Sequence, residues 1–118
     1  MQTAAALATG FVALLHLWFL VLEMFLWTKP LGRRVFKLTE EKAQATKALA
    51  ANQGLYNGFL AAGLAWGLWL GAEGEAIRLF FLGCVIVAGI FGAATVGRKI
   101  LFVQALPAAV ALTMMWMG

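Results

Sequence analysis

The side chains in this chain best suited to chemistry are His16, Glu23, Asn52, Gln53, Tyr56, Asn57 and Gln104. Each lies inside, or at the edge of, a long apolar stretch. His16 and Glu23 are seven residues apart, nearly two helical turns, so both project from one face of a helix, and Thr9 extends the stripe. Asn52 and Tyr56 are four apart, as are Gln53 and Asn57, a spacing expected to gather them into one polar patch on a second helix. A carboxylic acid with an imidazole can shuttle a proton, act as acid and base, or orient a polar head group. Amides and a phenol can hold the rest of a small molecule.

The same groups can also form a closed hydrogen-bond network that fixes helix packing and binds nothing. Model hydrogen bonds between helices in lipid are worth only about 0.6–2 kcal/mol. Six polar groups at one level on two helices exceed what packing needs. Ionisable groups within apolar spans commonly mark functional sites. A cavity lined by these residues is therefore the favoured expectation.

The elements that must position them are set by charge. Residues 1–22, 48–72, 79–97 and 100–118 carry no formal charge. Each is long enough to cross a hydrocarbon core roughly 30 Å thick as a helix. The expected fold is all-α, an integral membrane four-helix up-down-up-down bundle forming one domain, with spans at about 3–27, 46–70, 76–97 and 100–117. A basic connector, residues 28–45, follows span one, which Pro30 and Gly32 break. Within it Val35, Phe36 and Leu38 alternate with charge, which suggests a segment at head-group level. Thr39 is the expected N-cap of helix two, with Glu40 and Glu41 in its first turn. Pro107 is expected to kink span four.

Depth follows from a rise of about 1.5 Å per residue. Glu23 falls roughly 7–8 Å inside and His16 roughly 18 Å, counted from Thr28. Asn52 falls roughly 7–8 Å inside and Asn57 roughly 15 Å, counted from Lys47. Glu23 thus levels with Asn52 and Gln53, and His16 with Tyr56 and Asn57. Gln104 is expected in the same half, and Trp27, Thr95 and Arg98 at the mouth of the pocket.

Composition agrees with a membrane class. Hydrophobic residues make up 64% of 118, and mean hydropathy is +0.90. So short a soluble chain cannot hide that much apolar surface. The net charge of +4 is what basic residues beside membrane spans produce, and nucleic acid is not an expected partner. Lys29, Arg33, Arg34, Lys37, Lys42 and Lys47 in and after the first connector, with Arg98 and Lys99 in the third, outweigh Arg78 in the second. The first and third connectors are then cytoplasmic and both termini outside. Cys84 stands alone, so no intrachain disulfide forms, and neither metal nor cofactor is expected. The opening segment lacks a basic start and a small-residue cleavage site, and reads as a retained span. Gly54 and Gly58, Gly63, Gly67 and Gly71, then Gly89, Gly92 and Ala93 are small residues at helical spacing that let backbones approach closely, inside a monomer or in a homodimer.

The run LEMFLWTKPLGRRVFKL followed by KALAANQGLYNGFLAAGLAWGL resembles a family of small bacterial membrane proteins known as domain of unknown function 1304. The likeness covers nearly the whole chain, and its most specific parts are the residues around Glu23, Met24 and Phe25 and the NQGLYNG of residues 52–58. It implies a four-span protein of the bacterial inner membrane and brings no activity, substrate or cofactor with it.

The leading functional expectation is a pocket in the cytoplasmic half that holds a small lipid-like or amphipathic ligand, with membrane lipids as the surrounding partners. A proton-coupled exporter using Glu23 comes second; the strong charge bias and the lack of inverted repeats set the chain apart from small multidrug exporters. An isomerase using His16 and Glu23 as acid and base comes third, since no nucleophile elbow, phosphate loop or metal motif is present. A structural subunit without ligand comes fourth.

Overall fold

Thr39 starts the longest helix. Its hydroxyl accepts from the Lys42 amide at 3.1 Å, and its carbonyl accepts from the Ala43 amide at 2.9 Å. Glu40 and Glu41 then sit at the positive end of the helix. The computed structural model describes residues 2–117. In chain order the helices are α1 (Thr3–Met24), α2 (Pro30–Phe36), α3 (Glu40–Trp69), α4 (Glu75–Thr95) and α5 (Leu106–Met117). A 3-10 turn, Gly71–Gly74, precedes α4, and a π-helical turn, Leu101–Ala105, leads into α5. No strand occurs among the described residues, so the fold is all-α.

Three boundaries differ from expectation. First, α1 stops at Met24 rather than near residue 27, because the amides of Phe25 and Leu26 both return to the Val21 carbonyl. Second, the connector contains a helix. Pro30 takes its first turn, where a missing N–H costs nothing and φ is already set. Third, Pro107 is accommodated by the π turn ahead of it. The Leu106 amide reaches back to the Leu101 carbonyl, which widens the backbone where the proline ring would otherwise press on the carbonyl four residues earlier.

Thr3–Met24 and Gly71–Thr95 are long and apolar enough to cross a membrane, by length and composition. The apolar part of α3 falls short because Asn52, Gln53, Tyr56 and Asn57 interrupt it. Leu101–Met117 is apolar but shorter.

The chain forms two compact units: Leu15–Phe59, and the described residues on either side of it. In the second unit Val12, Leu64, Leu82, Val85, Ala108 and Ala111 make a buried core. Small residues set its spacing. A Cβ at Gly63 would overlap the Phe81 ring, and one at Gly89 would lie 2.6 Å from the Ala105 nitrogen. These glycines, like Gly54 and Gly58 in the other unit, face neighbours in their own chain.

Arg78 closes the end of α3. It is 2% exposed, and its Nη1 donates to the carbonyls of Gly67 and Gly71, each at 2.6 Å. The Gly67 carbonyl is one of the orphan acceptors in the last turn of α3, where a cation is also favoured by the dipole, and Gly71 lies in the turn just past it. Gly71 turns the chain there with φ +62°, the usual glycine role past a helix end.

Two outcomes follow for unfolding of the purified protein in mild detergent. Gly89→Ala costs about 1–3 kcal/mol, because the new methyl meets backbone rather than a movable side chain. Arg78→Met costs about 3 kcal/mol, since two charge-assisted bonds, one buried and one half-buried, vanish together.

Candidate functional site

In the unit Leu15–Phe59 a buried carboxylate sits between two amides. Glu23, in the last turn of α1, is 3% exposed. Its Oε1 accepts from Asn57 Nδ2 and its Oε2 from Gln53 Nε2, both at 2.5 Å. A carboxyl in apolar surroundings is tolerable only when its oxygens are met in this way.

The backbone explains why these three groups meet. Ala5, Thr9, Val12, His16 and Glu23 form one buried stripe along α1. On α3 the buried stripe runs Ala43, Ala50, Gly54, Asn57, Ala61, Leu64. Gly54 lets the helices close in: a Cβ there would stand 2.7 Å from Met24 Cγ and 3.1 Å from Glu23 Cβ. Gln53 is about 40° around the helix from Asn57, near enough for its long side chain to reach Glu23.

Asn52 and Tyr56 do not share that face. They lie about 140° and 100° from Asn57, and both are exposed. Tyr56 leans on Phe59, with ring centroids 5.9 Å apart. The single patch expected from four-residue spacing is thus divided: Gln53 and Asn57 meet the acid, and Asn52 and Tyr56 look outward. His16 is fully buried, its ring edge-on to Phe19 at 5.1 Å.

Trp27 is half-buried and bonds away from Glu23. Its Nε1 donates to Thr46 Oγ1 at 3.0 Å, and that hydroxyl donates to the Lys42 carbonyl at 2.8 Å. Its ring lies 4.7 Å from that of Phe36. Trp27 therefore fastens the connector to α3. Thr46, the partner that makes this possible, was not singled out by sequence; its signal is a hydroxyl seven residues after the Thr39 cap, on the same face of α3.

Thr95, Arg98 and Gln104 belong to the other unit. The Thr95 hydroxyl is spent on the Phe91 carbonyl, Arg98 is exposed in the turn after α4, and Gln104 is half-buried in the π turn. That unit also has an apolar hollow of about 360 Å³ lined by Ala8, Phe11, Leu106, Pro107 and Val110. It offers room for hydrocarbon and no hydrogen bond.

What fold and site define is a class: small all-helical proteins with a carboxylate clasped by amides on a neighbouring helix. The chain belongs to the family described as protein of unknown function (DUF1304), whose model matches residues 10–116. It is 32% identical over 96 residues to "Uncharacterized protein YpaA" of Lactococcus lactis subsp. lactis (strain IL1403), across 79% of this chain and 80% of that protein. No solved structure matches.

The two amides should not be equal. Asn57→Ala leaves one carboxyl oxygen buried without a donor and costs about 1–3 kcal/mol. Gln53→Ala costs under about 1 kcal/mol, because its side chain is exposed and its loss admits another donor. Denaturation midpoints of the two variants in detergent check the order.

Proposed function

We propose that this chain is a four-span protein of the bacterial plasma membrane in which the Glu23 cluster binds a small amphipathic molecule through a hydrogen-bond-donating head group. The carrying observation is the asymmetry of the clasp. Asn57 is buried beneath Glu23, whereas Gln53 reaches the same carboxyl from the protein surface. An ammonium, hydroxyl or amide head group can take the place of the Gln53 amide at Oε2 while Asn57 keeps Oε1. The tail of such a molecule would lie against exposed Leu49, one turn before Gln53 on the same side of α3.

The membrane part rests on exposure. Only 28% and 22% of the most apolar windows of Thr3–Met24 and Gly71–Thr95 are buried, unlike the core helices of soluble proteins. Leu7, Leu14, Trp69, Val87, Phe91 and Trp116 are each more than half exposed, and so much exposed apolar surface suits a lipid solvent. The proposed topology keeps the first and third connectors cytoplasmic and both termini outside. The burial of Arg78 supports it, because the exposed charges left on the second connector are Glu73 and Glu75.

A second reading is favoured by one observation: both oxygens of Glu23 already have donors, as in a purely structural clasp. Thermal unfolding in phosphatidylcholine nanodiscs separates the two. Under the binding reading, tetradecylamine raises the midpoint saturably, by the equivalent of about 2.7 kcal/mol at a hundredfold excess over Kd. Tetradecyltrimethylammonium, which has no N–H, does not. Gln53→Ala then strengthens the response and Glu23→Gln abolishes it. A wild-type protein indifferent to tetradecylamine leaves the clasp as the function of the cluster.

A further inference from the structure

Between Met24 and Glu40 the chain carries Lys29, Arg33, Arg34 and Lys37 and no acid. The short helix α2 arranges them. Gly32 is buried, and a Cβ there would overlap the Leu26 carbonyl. Phe36 rests on Trp27, which is bonded to Thr46 of α3. The side of α2 carrying residues 32 and 36 is thereby pinned inward. The opposite side presents Leu31, Arg34 and Val35, with Leu31 41% and Val35 42% exposed. Lys29 and Lys37 are exposed at either end of α2, and Phe25, 64% exposed, precedes it.

The end of α2 adds an independent sign. The amides of Lys37 and Leu38 return to the carbonyls of Arg34 and Arg33, which closes a Schellman turn. Its left-handed residue, normally glycine, is Lys37 at φ 55°. A side chain held where the backbone disfavours any Cβ points to a use for that side chain.

We propose that α2, with Lys29 and Lys37 at its ends, is a docking surface for the anionic head groups of a lipid bilayer. Leu31, Val35 and Phe25 enter the boundary between head groups and acyl chains. Lys29, Arg34 and Lys37 pair with lipid phosphates. Apolar side chains alternating with the cations favour a bilayer over a dissolved anion, which has no use for exposed leucine and valine. Half-buried Arg33 takes no part. The acids nearest in sequence, Glu40 and Glu41, occupy the first turn of α3.

The test uses the full chain in neutral detergent, with phosphatidylglycerol, phosphatidylcholine or inorganic phosphate added and the thermal midpoint read at low and high salt. Phosphatidylglycerol raises the midpoint, phosphatidylcholine and inorganic phosphate do not, and high salt erases the shift. Lys37→Gly relaxes the turn, so it raises the midpoint without lipid while weakening the phosphatidylglycerol response roughly fivefold. The variant carrying Lys29→Gln, Arg34→Gln and Lys37→Gln loses the response; if it does not fold, Lys37→Gly alone decides. A phosphatidylglycerol response unchanged in Lys37→Gly, or an equal response of wild type to inorganic phosphate, overturns the proposal. Glu23→Gln keeps the response, so the outcome is independent of the Glu23 site.

Discussion

A carboxyl group removed from water must find donors, and Glu23 finds two of them on α3. That requirement governs the unit Leu15–Phe59. It demands that α1 and α3 approach closely, which Gly54 permits. It also demands amides at the right height and angle, which Asn57 and Gln53 supply. Removing the buried donor, Asn57, costs more than one hydrogen bond, because the remaining oxygen keeps its desolvation penalty. The pairing thus works less as an adhesive than as a constraint on register: shifting α3 by one residue would carry Asn57 about 100° away from the acid.

Much of this was legible in the sequence. The inward stripe of α1 and the level match between Glu23 and Gln53 followed from helix geometry, whereas Asn57, which the same count sets level with His16, bonds Glu23 instead. Thr39 announced the start of α3 by its type and the two acids behind it. The division of the polar patch was not legible, because four-residue spacing makes Asn52 neighbour Tyr56 and Gln53 neighbour Asn57 without saying which pair faces α1. The small residues decide it: Ala50, Gly54 and Ala61 mark the face that comes close, and Asn57 falls on it while Asn52 and Tyr56 do not. The π turn was hidden for a different reason. Pro107 announces a disturbance, but whether a helix kinks or widens depends on packing at Ala105 and Gly89, which no local pattern reveals.

The ends of the helices are joined by side chains of another sort. Arg78 is visible in the sequence as the lone basic residue of the second connector, which says only that it carries charge there; folded, it is spent on the carbonyl of Gly67 near the end of α3 and on that of Gly71 just past it. Trp27 and Thr46 play the matching part at the other end of that helix. In both places a long polar side chain from a connector or following helix reaches backbone or hydroxyl groups on α3. The same helix therefore anchors the connectors and supplies the amides of the site.

The wide turn at Leu101–Ala105 has a consequence for how this chain can change in length. An ordinary helix advances about 100° per residue, so losing one residue from it rotates everything beyond onto a new face. A π turn holds one residue in reserve. Removing a residue there tightens the ring closed by the Leu106 amide to normal size and leaves both flanks in phase. Pro107 then loses the widening that houses its ring. A one-residue deletion in that turn is therefore tolerated only together with the replacement of that proline.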